Sequence, residues 1–303
     1  MKILVPLDFS DLSFKALQVA DKFSSVYDDV SISPFHAHIP ISELDEPYAF
    51  GLNTPVHKDF DEIEANIKER LKEAAGKYID ESKLGESIVG IGSPSQCIID
   101  ISEEMDFDYV IMSTHGRTGF SRFFLGSVAE KVLRLSSIPV MVVENESKVD
   151  NFEKILVTTD FSDNATIAFP YAVEIAKKTG GHIHLVHVLS FEQFEADEKD
   201  TSLKQIRKER MKIIEKEYFH QISDQVTSEV IVSPDSPHEE LLNHISKNDY
   251  NLIVMSTVGR TGINYLMMGS TTANVVRHVN NAVLSINPKK TTEKEGDEDE
   301  DES

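Results

Sequence analysis

Short apolar runs alternate with longer stretches of helical spacing along this chain, and the whole series occurs twice. Ile3-Leu4-Val5 opens the first series as a buried-type strand that stops at Asp8. Ser10 or Asp11 then caps a helix carrying Leu12, Ala16, Leu17, Ala20 and Phe23 at helical spacing. A second strand is expected near 30–36, followed by a polar helix over about 59–82 with Ile63, Ile67, Leu71, Ala75 and Tyr78 on one side. A third strand at 87–91 leads into the turn Gly92-Ser93-Pro94, and a helix over 96–104 precedes a fourth strand around Tyr109-Val110-Ile111. A glycine loop, a helix and a fifth apolar run at 139–143 close the series. The second series reads strand 154–159, helix 163–178, strand 182–188, helix 199–222, strand 228–233, helix 237–247 and strand 251–256. It ends, past another glycine loop, in the run 282–286. Strands alternating with helices imply an α/β fold, a parallel sheet with helices on both faces. Five strands per series suit a doubly wound sheet, which takes ligands outside its strand C-termini at a switch point.

The two series are copies. Lys2-Ile3-Leu4-Val5-Pro6-Leu7-Asp8-Phe9-Ser10-Asp11 matches Lys154-Ile155-Leu156-Val157-Thr158-Thr159-Asp160-Phe161-Ser162-Asp163 at an offset of 152. Phe35-His36-Ala37 matches Val186-His187-Val188 at 151, and Ser93-Pro94 matches Ser236-Pro237 at 143. The first copy therefore carries about eight extra residues, expected in the Pro- and Gly-punctuated stretch 46–55. So long a period describes two tandem domains, 1–145 and 152–288, joined by a polar linker at 146–151.

Charge narrows the partners. A net charge of −22 argues against nucleic acid and anionic lipid. The segment 289–303, ending in an unbroken acidic run, is expected to be a disordered tail, either a solvating appendage or an interaction segment. No apolar stretch approaches the roughly 20 residues of a membrane span, and no signal-peptide core precedes the first strand. The single cysteine, Cys97, suggests a reducing cytoplasm and reads as a packed thiol.

Candidate chemistry lies in the two glycine loops. Residues 112–127 read MSTHGRTGFSRFFLGS and residues 255–270 read MSTVGRTGINYLMMGS. A strand, a Gly-containing loop and a helix start make a unit suited to an anionic group. Gly116, Gly126, Gly259 and Gly269 remove side chains where amides would approach phosphate oxygens, and Ser127 and Ser270 can donate hydroxyls at helix starts. The same glycines would equally serve turn geometry, and the serines helix capping. Arg117 and Arg260 either neutralise phosphate or are solvated loop cations. Asp8 and Asp160 follow the first strands, where a carboxylate either accepts from ribose hydroxyls or fixes a turn.

Over residues 1–288 the chain resembles a tandem universal stress protein. The resemblance is carried by K-I-L-V-x-x-D-F-S at each start, by Ser-Pro before the third helix, and by the loop with its trailing apolar strand. Nucleotide-binding members have a loop G-x2-G-x9-G-S/T. Here a serine replaces the first glycine, giving Ser113-x2-Gly116-x9-Gly126-Ser127 and Ser256-x2-Gly259-x9-Gly269-Ser270. The resemblance implies ATP or a related adenine nucleotide, with Mg²⁺ as an option, and an adenosine-contacting role for Asp8 and Asp160. Ala37 and Val188 match the adenine-contacting position, with Pro6, Leu7, Thr158 and Thr159 lining the same pocket. It also implies that the fifth strands pair the two copies as an intramolecular pseudo-dimer, with a homodimer of such chains as a further option.

The loops differ in ways that favour the first copy: His115 has Val258 as its counterpart, and Arg122 has Tyr265. Pro34, however, falls inside the expected second strand of that copy, where proline fits poorly. The eleven histidines, including His182, His184 and His187, fall at no familiar ligand spacing, so no metal site is expected. No nucleophile elbow, H-E-x-x-H or G-x4-G-K-S/T occurs, so no catalytic residue is nominated. The readings are a cytoplasmic stress-response protein switched by adenine nucleotide, a nucleotide-free interaction protein of the same fold, or a slow ATP hydrolase.

Overall fold

The computed structural model describes residues 1–39, 60–115, 125–147, 151–191, 199–259 and 268–288. The expected insertion at 46–55, the tail 289–303, and Gly116, Arg117, Arg122, Arg260 and Tyr265 lie outside the described residues. In the first copy the elements are β1 (Lys2–Pro6), α1 (Asp11–Ser24), β2 (Ser31–His38), α2 (Phe60–Ala75) and β3 (Ile88–Ile91). They continue with α3 (Pro94–Glu104), β4 (Tyr109–Ser113), α4 (Ser127–Leu135) and β5 (Val140–Val143). The second copy comprises β6 (Lys154–Thr158), α5 (Asp163–Thr166), α6 (Phe169–Thr179), β7 (His182–Ser190) and α7 (Lys199–Tyr218). It ends with β8 (Val226–Ser233), α8 (Pro237–Lys247), β9 (Leu252–Ser256), α9 (Ser270–His278) and β10 (Ala282–Ile286).

All the strands join one sheet in the order β3-β2-β1-β4-β5-β10-β9-β6-β7-β8. Among the described residues pairing is parallel within each copy and antiparallel only at the seam, where Val142, Met141 and Val140 face Val283, Leu284 and Ser285. The two copies are thus an intramolecular pseudo-dimer built on their fifth strands. Each half is a five-stranded doubly wound sheet that switches direction between its first and fourth strands, β1/β4 and β6/β9. Alternate residues feed opposite faces. Ile3 and Val5 pack with α1 and α2, whereas Leu4 packs with α3 and α4. Both cores cross the seam: Ile3 and Leu284 share one cluster, and Leu4 and Val283 the other. Phe23 meets Phe152 edge-on across the copies at 5.3 Å between ring centroids.

Two local departures from the expected elements have clear causes. The helix expected over 163–178 is broken into α5 and α6 because Pro170 has no N–H to donate and its ring would clash with the Thr166 carbonyl. Pro34 does sit inside a strand with neighbours on both sides, against expectation. Phe35 O accepts from Leu7 N on the β1 side, and Ile32 O accepts from Gly85 N on the other, so Pro34 turns its nitrogen away from β1. On that side the chain makes only the isolated bridge Ile32–Leu84 before β3 begins opposite Phe35, so no ladder bond is lost.

Caps fix the helix starts. Ser236 accepts from Glu239 N while the Glu239 carboxylate accepts from Ser236 N, a reciprocal capping box on α8. Ser236→Ala is expected to lower stability by about 1 kcal/mol, read from the urea midpoint by circular dichroism. Cys97 packs in α3 with its Sγ 3.5 Å from Ile91 O, and burial, followed by the Asp100 charge, pushes its thiol pKa up. Among the described residues no helix is long and apolar enough to cross a membrane.

Candidate functional site

The C-terminal ends of β1 and β4 diverge at the switch point of the first copy, and the crevice between them is a cleft of about 320 Å³. Asp8, Ala37, Ser113, Gly126 and Ser127 line it together, with Pro6 and Leu7 beside them. Parallel strands deliver their following loops to one edge of the sheet, which is why residues so far apart in sequence meet here.

The loop geometry explains the serine that replaces the first glycine. Ser113 Oγ donates to His115 O at 2.8 Å, and in the second copy Ser256 Oγ donates to Val258 O at 3.0 Å. Each hydroxyl thus closes its own turn two residues on. These serines hold the loop and are committed within it.

Gly126 is the N-cap of α4, with φ −60°, so backbone freedom is not what it provides. Space is. A Cβ there would lie 2.8 Å from Thr114 O, the carbonyl that accepts the Gly126 N–H at 2.9 Å. Gly126 has no side chain to cap α4, so among the described residues the first turn (Ser127, Val128 and Ala129) forms one wall of the cleft at an uncapped, positive helix end. In the second copy Gly269 caps α9 in the same way and Ser270 follows it, but a Cβ would stand 3.4 Å from Thr257 O.

Asp8 both fixes a turn and lines the cleft. Its Oδ1 accepts from Ser10 N at 3.0 Å and Ser10 Oγ at 2.5 Å, while Ser10 itself caps α1. Asp160 repeats this with Ser162. The turns force Phe9 and Phe161 to φ 62° and 65°, a left-handed conformation that costs a bulky side chain on the order of 1–3 kcal/mol. Packing offsets the strain. The Phe9 ring lies against His36 and under Arg70, and Phe161 lies against His187 and near Arg210. His36 Nδ1 is 2.7 Å from Leu7 O, and His187 Nδ1 is 2.8 Å from Thr159 O, so each imidazole ties the second strand to the first.

The copies diverge beyond these shared parts. Below the first loop Thr114 Oγ1 donates to Glu144, with His115 Nδ1 3.1 Å from the same hydroxyl. Thr114 and Glu144 carry no motif and escaped the sequence reading. In the second copy Val258 and Asn287 take the places of His115 and Glu144, and Thr257 Oγ1 has no partner among the described residues. There Gly259 packs on the aspartate: a Cβ on it would meet Asp160 Oδ2 at 2.6 Å, and Asn164 Nδ2 lies 3.5 Å from Gly259 O. Val188 stands on β7 and Ser256 ends β9, matching Ala37 and Ser113.

The universal stress protein family model matches residues 1–144 and again 151–287. The chain belongs to the universal stress protein family. Universal stress protein MJ0577 of Methanocaldococcus jannaschii is 31% identical over 157 residues, covering 48% of this chain and 96% of the relative. Rv2005c of Mycobacterium tuberculosis, also a universal stress protein, is 28% identical over 229 residues, 74% of this chain and 72% of that one. The crystal structure of a universal stress protein from Archaeoglobus fulgidus superposes with a TM-score of 0.67 at 26% identity, over 94% of this chain and 97% of that chain. Similarity along nearly the full length of that protein places both copies, and their joining, within the universal stress protein architecture.

Proposed function

We propose that this chain is a cytoplasmic stress-response protein whose first copy binds ATP or a related adenine nucleotide, accompanied by Mg²⁺, and that binding acts as a switch. The observation that carries this reading is the α4 wall of the cleft. An uncapped helix start, behind a glycine with no room for a methyl group, meets a carboxylate and a strand end in one crevice. Its volume is at the lower end of the roughly 300–1,000 Å³ of small-molecule clefts. In this reading the amides of α4 and Ser127 hold phosphate, Asp8 takes the ribose, and the backbone at Ala37 reads the base edge. Gly116 and Arg117 complete the phosphate loop, as the family resemblance implies. In the second copy Asp160, Val188, Ser256, Gly259, Arg260, Gly269 and Ser270 form the homologous set, but there Gly259 packs on the Asp160 carboxylate that would take the ribose.

The switch would run along α4. Its N-terminus faces the cleft, while Arg134 O in its last turn accepts from Asn287 Nδ2 of the second copy at 2.7 Å. Glu130 on the same helix lies 3.6 Å from Arg277. A ligand that favours one placement of α4 therefore acts on a helix that touches both copies.

Calorimetric titration of nucleotide-stripped protein with Mg-ATP is expected to saturate near one equivalent. Two equivalents would extend the reading to the second copy. Silence, checked with a fluorescent analogue, would replace it with a nucleotide-free interaction protein. Phosphate release from the same sample tests for slow hydrolysis.

A further inference from the structure

Away from the nucleotide cleft, the second copy gathers two imidazoles and a carboxylate at the opposite end of its sheet. His184 lies early in β7, Glu229 on β8 and His244 in the last turn of α8. One ligand atom from each lies within 4.8 Å of the others. His184 Nε2 is 3.6 Å from Glu229 Oε2. The Tyr250 hydroxyl sits between the rings, 2.6 Å from His184 Nδ1 and 2.8 Å from His244 Nε2. The alternation of β7 puts His184 on the face covered by α8, and the register sets Glu229 opposite Val186, on that same face.

The first copy is an internal control for whether the fold needs these groups. It has Ser33 in place of His184, Ile101 in place of His244 and Phe107 in place of Tyr250. Ile88 stands where Glu229 does, since Ile88 pairs with Phe35 as Glu229 pairs with Val186. Apart from the small buried Ser33, that copy fills the region with apolar side chains, Ile88 and Phe107 being buried. The same backbone therefore packs without any of the four polar groups. Their joint presence in the second copy calls for a reason other than folding.

We propose that His184, His244 and Glu229 form a binding site for a divalent transition metal of the zinc class. Two imidazoles and one carboxylate match the donor set of such ions, whereas calcium and magnesium take oxygen. A tetrahedral shell with bonds of about 2.0–2.1 Å would bring donors to roughly 3.4 Å apart. The residues can close that gap, because the Glu229 side chain is 51% exposed and free to swing inward. Burial, the largest cause in each case, holds both His184 and His244 below the ordinary histidine range. Burial therefore favours at both positions the neutral imidazole that a metal ligand must present. Tyr250 is placed to orient them, the outer-partner role that metal-bound imidazoles commonly require. β8 is the outermost strand of the ten-stranded sheet, so a bound ion would pin that edge to α8 and β7.

The test uses the full chain, stripped with chelator, and cobalt(II) and zinc(II) as probes. One equivalent of cobalt(II) is expected to give the visible bands of a four-coordinate ion, displaceable by zinc. The double variant H184S/H244I, which installs the residues of the first copy, should lose the bands and the tight equivalent while keeping its circular dichroism. Tyr250→Phe should weaken zinc by about 10–100-fold, as loss of an outer partner does. Absence of a saturable equivalent in the parent chain would overturn the proposal. So would equal affinity in the folded double variant, which would assign binding to the acidic surface or other histidines.

Discussion

Replacing Gly126 by alanine is expected to weaken adenine nucleotide binding by about a hundredfold, whereas Gly269→Ala leaves it close to the parent value. The asymmetry follows from where the new methyl group would go. At 126 it would lie 2.8 Å from Thr114 O, a backbone atom that cannot rotate away, so Gly126 or the Thr114 turn must shift. That shift breaks the 2.9 Å bond from Gly126 N to Thr114 O and displaces the first amides of α4 from their positions along the cleft. Hydrogen bonds to a charged group contribute about 1.5–3 kcal/mol each. Losing the equivalent of one or two corresponds to roughly a hundredfold in affinity, at about 1.4 kcal/mol per decade. At 269 the methyl group would stand 3.4 Å from Thr257 O, and a shift of a few tenths of an ångström accommodates it. Calorimetry on both variants, with circular dichroism to establish that each is folded, separates the cases. Unchanged affinity in a folded Gly126→Ala chain would remove α4 from the binding reading. Equal losses in both variants would show that the second copy binds as well.

Why the sequence revealed the fold more fully than the site can be traced to particular residues. Strand runs such as Ile3-Leu4-Val5 and Leu252-Ile253-Val254 are apolar on both faces because helices cover both, and such a signal survives without any tertiary information. The seam was legible too, since the fifth strands are apolar apart from Ser285, an unpaired apolar edge would be a liability, and the family resemblance implies that these edges pair. Pro34 misled because its tolerance depends on a neighbour: β3 starts only opposite Phe35, so the missing N–H faces no ladder. Pro170 carried a local signal of a break that the helical spacing around it masked. In the cleft, Gly126 and Ser127 were readable because they stand side by side at the end of one loop, and Asp8 because it follows the first strand, whose C-terminal end lies at the switch point. Thr114 with Glu144, and His184 with Glu229 and His244, were not. Each group is assembled from elements distant in sequence, and only the strand register and helix docking bring its members together. Ser113 had the opposite history, a visible position whose hydroxyl turns out to close its own loop.

The continuity of the two cores leads to the second large effect. Leu284→Ala is expected to cost about 2–5 kcal/mol, the range for a leucine removed from a packed interior. Leu284 is 0% exposed and opposes Met141 across the antiparallel seam, in a cluster that also holds Ile3, Phe23 and Ile155. A cavity there touches both copies at once. The two halves should therefore unfold together, and the variant should show one transition at a lower midpoint. Hydrogen exchange supplies the decisive readout, because the chain has no tryptophan to report on either half separately. Protection of the β4 amides in the first copy and of the β9 amides in the second should fall by the same factor. A loss confined to β9 and β10, or two resolved transitions, would mean that the copies fold independently and that the seam is only a docking surface. That result would also weaken the switch reading. A ligand pulling on α4 can affect the second copy only if the free energy of the seam is shared by both halves, as Phe23 against Phe152 and Arg134 beside Asn287 imply.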